Sequence, residues 1–131
     1  MSQQADIREA FAELLSQHLD IPIAVFVPGT LRTATGYLQH SSPYMDFQGD
    51  GATFGRPAML LSLVLVSPAP DWDRAMTWVD EKVELLRAIP PTLIAGRHRP
   101  QLSTVNALGV LDNKALAFEI TFTPIQLGAL A

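Results

Sequence analysis

Apolar residues at Ile7, Phe11, Leu14 and Leu15 recur at the spacing of one helical stripe, and Asp6, Arg8, Glu9 and Glu13 are left for solvent. This predicts an amphipathic helix over about Asp6 to His18. The helix should stop near Asp20, because Pro22 disfavours helical geometry in the residue before it. Ile21 to Val27 is rich in β-branched and aromatic residues and is closed by Pro28-Gly29, which predicts a first strand. From Thr30 to Pro57 the chain turns polar, with isolated Leu31, Tyr37, Leu38, Tyr44, Met45 and Phe47. A second strand is expected within Leu31 to Gln39, then a long loop from His40 to Pro57, of a length that in a small domain is usually functional or mobile.

In Met59 to Val66 both alternating sets are apolar: Met59, Leu61, Leu63 and Leu65 on one face, Leu60, Val64 and Val66 on the other. Such a strand belongs at the centre of a sheet covered on both sides. Ser67-Pro68-Ala69-Pro70-Asp71 then makes a turn and a helix start, with Ser67 or Asp71 as cap. The second helix is expected to run to about Ala88 and to pack through Trp72, Met76, Val79, Val83 and Leu86, spaced by four, three, four and three. Pro90-Pro91 ends it. After a short Thr92 to Ala95 segment and a loop over Gly96 to Pro100, Ser103 to Leu111 and Lys114 to Thr123 read as a hairpin turning at Asp112-Asn113. The last strand alternates, with Leu116, Phe118, Ile120 and Phe122 inward and Ala117, Glu119, Thr121 and Thr123 outward. Ile125 to Ala131 is an apolar but irregular tail. The expected architecture is α+β in one domain over residues 1–131: a mixed, mostly antiparallel sheet of four to five strands, two flanking helices and a C-terminal β-hairpin.

Composition narrows the function classes. At 131 residues, 48% apolar and 17% charged, the chain forms one core and is not intrinsically disordered. A net charge of −4 argues against a protein whose main work is gripping nucleic acid through phosphate contacts. The lack of cysteine excludes a disulfide scaffold, a thiolate metal site and a cysteine nucleophile. No signal-like or membrane-spanning segment is read, since the apolar run Ala58 to Val66 is about half of the ~20 residues a spanning helix needs.

Candidate chemistry is thin. Gly49-Asp50-Gly51-Ala52-Thr53-Phe54-Gly55 approaches a dinucleotide-binding glycine fingerprint, but Arg56-Pro57 and a strand follow where a helix N-terminus is required, so it reads as a loop. Asp71-Trp72-Asp73 could hold a divalent metal, yet two acids in a first turn suit a cap and the helix dipole better. His18, His40 and His98 do not fall at metal-ligand spacing, and His18 suits a helix C-terminus. Ser62 lies inside an apolar strand, where a nucleophile would be inaccessible. No catalytic residue, cofactor or metal site is therefore expected, and the chain reads as non-enzymatic. What stands out is interaction surface. The central strand asks for cover on both faces from a chain with only two amphipathic helices, and Tyr44, Met45 and Phe47 are types enriched at protein interfaces. This points to a subunit of an assembly.

The order of elements resembles the tail terminator proteins of long-tailed bacteriophages: amphipathic helix, short strand ending in Pro-Gly, long polar segment, buried strand Ala58 to Val66, helix Trp72 to Ala88 and closing hairpin. The likeness spans nearly the whole chain and lies in pattern and length. It implies an α/β subunit of which six copies form a ring. The ring caps the head-proximal end of the tail tube, stops its polymerisation and offers the docking face for head joining. The implied partners are sister copies, the major tail tube protein and a head-completion or connector protein, with DNA passing through the ring without specific binding. The implied location is the virion neck, assembled in the host bacterial cytoplasm. On this reading Tyr44, Met45, Asp46 and Phe47 contact neighbouring subunits or the tube, and Arg97, His98 and Arg99 make polar contacts at a ring face. The alternatives are another neck role, head closure or head-to-tail joining, and, from a different class, a small ligand-binding or enzymatic α/β domain with a pocket under the glycine loop.

Overall fold

The computed structural model describes residues 2–30, 32–47, 57–110 and 116–127. Helix α1 spans Gln3–Leu19 and buries Ile7, Phe11, Leu14 and Leu15 as its spacing requires. The Ser2 hydroxyl caps its start by accepting from the Ala5 amide at 3.1 Å. Asp20, at φ 54°, takes the left-handed position that ends the helix, its amide bonded to the Ser16 carbonyl. The strands are β1 (Ile23–Ala24), β2 (Thr35–Asp46), β3 (Ala58–Val66), β4 (Leu93–Ile94), β5 (Arg97–His98), β6 (Leu102–Val110), β7 (Leu116–Phe122) and β8 (Ile125–Gln126), with helix α2 (Trp72–Arg87) between β3 and β4.

The main sheet runs β1-β2-β3-β7-β6, with β8 also paired to β3, and β4-β5 forms a separate two-stranded hairpin. Among the described residues only β1 and β2 pair in parallel, and the other pairings are antiparallel. This is the mixed α+β sheet with two helices and a C-terminal hairpin that the pattern predicts. Residues of both helices join one core with Leu38, Met59, Leu61, Leu63, Leu65, Leu116, Phe118, Ile120 and Phe122. Both helices therefore lie on one face of the sheet.

Several expectations are corrected. The expected loop from His40 is strand as far as Asp46, because β2 continues along β3 through a register shift between His40 and Met45. The first strand shrinks to Ile23–Ala24. The segment over Gly96 to Pro100 is not only loop: Leu93 pairs with His98 and Ile94 with Arg97. The tail is less irregular than its composition implies, since Ile125 pairs with Met59 and both Ile125 and Leu127 are buried. The glycine-rich stretch Gly49 to Gly55 and the turn at Asp112-Asn113 lie outside the described residues.

Helix α2 packs through Ala75, Val79 and Leu86, with Trp78 and Val83 partly buried. Trp72 and Met76, expected inside, are 45% and 43% exposed. The small Ala75, wholly buried, faces the sheet, and this turns the two larger residues to the margin of the contact.

The deficit of cover on β3 is also corrected. Val64 and Val66 are both fully buried within the single chain, in a second cluster with Tyr37, Ala117 and the partly buried Ala24 that contains no helix residue. Tyr37 and Glu119 lie opposite Val64 on its two neighbouring strands. Among the described residues this cluster is drawn from the strands of the sheet, and Val64 and Val66 are buried by it while Leu60, on the same face, is only partly buried.

Candidate functional site

The residues singled out by sequence fall into two groups. Tyr44 to Phe47 form the end of β2 and its exit, positioned beside α1 by the β2–β3 pairing. The Arg8 guanidinium on α1 donates to the Tyr44 hydroxyl at 2.5 Å. The Tyr44 ring stacks on His40, with centroids 4.1 Å apart. The Gln4 amide donates to the Met45 sulfur at 3.6 Å. Tyr44 and Met45 are therefore half-buried parts of the helix–sheet joint, and Asp46 pairs with Ala58 in the sheet. Phe47 is 43% exposed and remains presented to solvent.

The second group sits on the β4–β5 hairpin. Arg97 donates to the Gln126 carbonyl at 3.1 Å and to the Gln3 side chain at 3.3 Å. Arg99 directs its guanidinium to three carbonyls, of Ile89 at 2.6 Å, Pro90 at 3.0 Å and Pro100 at 3.2 Å. It clamps the segment leaving α2 and so has a clear structural task. His98 is exposed and, with Arg97 and Arg99, lines an open groove of about 470 Å³ bounded on the other side by Thr123 to Gln126.

Other candidate chemistry resolves into structure. Asp71 is the N-cap of α2, accepting from the Arg74 amide at 2.9 Å, and Asp73 lies in the first turn. The hydroxyl of Ser62, a buried residue, lies 3.4 Å from the Glu119 carboxylate, which also accepts from the Gln39 amide at 2.7 Å. Burial, and secondarily the Glu119 charge, push the Tyr37 phenol above its ordinary value of 10.0. Among the described residues no group of three or more His, Asp or Glu is placed to hold a metal ion. No helix there is long and apolar enough to cross a membrane.

Sequence reasoning missed Phe26. It is 55% exposed, yet its ring is held edge-on to His40 at 6.2 Å and lies under the Arg8 guanidinium at 4.9 Å. The Arg8 Nε has no hydrogen-bond partner although it is buried. The aromatic face beneath the guanidinium offsets part of that cost. The only signal along the chain was an aromatic residue in the uncharged run between Ile21 and Leu31.

The fold recurs in a virion. A chain of the structure titled "Virion of native gene transfer agent (GTA) particle" superimposes with a TM-score of 0.63 at 11% sequence identity, covering 95% of this chain and 97% of that one. At that identity the likeness speaks for the fold. No protein-family model matches the chain, and no curated protein sequence matches it.

Proposed function

We propose that the chain is a structural subunit of a phage-like virion, and specifically a tail terminator that closes into a six-membered ring on the head-proximal end of the tail tube. The observation carrying this reading is the end-to-end fold likeness to a virion chain, with almost nothing left over in either protein. The order of elements resembles that of tail terminators. On this reading the ring stops tube growth, docks the head-completion or connector protein on its other face and lets DNA through without specific contacts. The net charge of −4 suits that passage. On this reading Phe47 and His98, the exposed members of the two sequence-marked groups, meet the tube or the connector.

The test is electron microscopy and light scattering of the purified protein, alone and mixed with its tail tube protein. Six-membered rings that bind tube ends and block further polymerisation are expected. Rings that bind the connector but leave tube growth unaffected would replace the terminator assignment with a head-joining one. A chain that stays monomeric at high concentration and ignores both partners would remove the assembly reading altogether.

A further inference from the structure

Among the described residues, apolar side chains are exposed at both ends of the main sheet, besides Phe47, Leu85 and Leu93 elsewhere. At one end β6 pairs only with β7 among the described residues, and its nine residues include neither a charge nor a proline. Register shifts near its two ends leave Thr104 to Ala107 as a regular stretch, opposite Thr121 to Phe118. Residues Ser103 to Leu108 are exposed, with Val105 at 42% and Leu108 at 48%. An uncharged edge strand of this kind is the feature that monomeric proteins guard against. Beside it stands the start of α2: the Trp72 ring lies edge-on to Phe118, 6.1 Å away, and Phe118 pairs with Ala107 of β6. Trp72 thus stands over β7 next to the β6 flange, and Met76 is exposed one turn further along α2.

At the opposite end, just past β1, Phe26 and Val27 are 55% and 58% exposed. Phe26 is fixed in place by Arg8 and His40, which makes it a pre-organised anchor whose docking needs little ordering. Ile21 to Leu31 carries no charge, as β6 carries none, in a protein of net charge −4. Asp71 and Asp73 flank Trp72 and are exposed, so it is between Phe26–Val27 and β6 itself that two copies of like charge meet with least repulsion.

We infer that copies of this chain join head to tail, the Phe26–Val27 end of one seated on the β6 flange of the next, beside Trp72. Unlike ends on a single chain make a heterologous joint, which repeats and closes into a ring when the rotation per copy allows it. The inference rests on the assembly reading above and gives it an interface. It needs no lid over β3.

Two variants test it: Val105→Lys with Leu108→Lys on the flange, and Phe26→Ser with Val27→Lys on the anchor. All four side chains are exposed, and circular dichroism and melting at low concentration establish that each monomer is folded. Each pair should weaken self-association at least about 30-fold, the effect of losing one hot-spot residue. Mixed in equal amounts, the two variants keep one intact joint between them and should form a 1:1 dimer and nothing larger. Rings from either variant alone, or an anchor variant that associates as the wild type does, would overturn the head-to-tail interface while leaving the ring reading intact. Wild-type head-to-tail assemblies that ignore the tail tube would do the reverse. A wild-type chain monomeric at every concentration would overturn both.

Discussion

Replacing Arg99 with Ala separates a structural role from an assembly role for the basic hairpin. The guanidinium donates to three carbonyls of residues 89, 90 and 100, at 2.6, 3.0 and 3.2 Å, and ties the exit of α2 to the start of β6. A hydrogen bond from a charged donor contributes about 1.5–3 kcal/mol when its partner is desolvated and less where water competes. Arg99 is half-buried and its three bonds share one group, so a total of about 2 kcal/mol is expected for Arg99→Ala. In a domain of this size that lowers Tm by roughly 6–10 °C. Arg99→Lys keeps the charge but reaches at most one carbonyl in good geometry, and should recover about half the loss. The assay is thermal unfolding at a concentration where the wild type is monomeric, with sedimentation at higher concentration alongside. An Arg99→Ala chain that melts within about 1 °C of wild type but no longer assembles would refute the clamp and return Arg99 to the ring face.

Three further predictions concern the core. A Cβ added at Gly36 would lie 2.9 Å from Ile23 Cδ1, 3.0 Å from Leu65 Cδ2 and 3.1 Å from the Val64 carbonyl oxygen, which is backbone of the central strand. Gly36→Ala should therefore cost about 1–3 kcal/mol, read as a lower denaturant midpoint at unchanged slope; an unchanged midpoint would mean that β1 moves aside freely. Phe118 is 1% exposed and packs under Trp72, so Phe118→Ala should cost about 3–5 kcal/mol by the same measurement, and a loss under 1 kcal/mol would contradict its place in the core. The folded-state pKa of Tyr37 is raised, so the native state holds its proton where the unfolded state has released it. That contribution to stability is complete below pH ~10 and declines above it. Tyr37→Phe should flatten the alkaline decline, and a parallel decline in the variant would assign it to other groups.

The elements with strong periodicity were legible along the chain. Helix α1, the doubly apolar β3 and the alternating β7 follow from spacing alone, because burial on one stripe, on two faces or on one face leaves a different period in each. The misreadings share a physical cause, which is that tertiary contacts decided them. Tyr44 and Met45 look like loop residues until α1 supplies Arg8 and Gln4 as partners and holds them in a strand. The face of α2 was misplaced by one small residue, since a buried Ala75 has no weight in a pattern of large side chains. Arg97, His98 and Arg99 looked like one basic cluster; two of them are occupied by carbonyls and an amide that no local sequence reveals.

The aromatic residues divide along the same line. Tyr44 was marked for an interface by its type and by the polar segment around it, yet its hydroxyl and ring face are both engaged within the chain. In the proposed joint those contacts bear on assembly, because the ring that Tyr44 stacks on is His40, and His40 together with Arg8 holds Phe26. The sequence-marked residue thus acts from behind the exposed one. Fold likeness at 11% identity shows that a pattern of buried positions suffices to specify the sheet and its helices. Tyr44→Phe, which keeps the ring and removes the hydroxyl, frees Arg8 without emptying the stack. It should weaken self-association less than removing Phe26 does. Tyr44→Ala releases both the stack and the guanidinium and should approach the loss seen for Phe26→Ser, at equal monomer stability after correction for the unfolded fraction. Equal association in Tyr44→Ala and the wild type would disconnect the cluster from the joint.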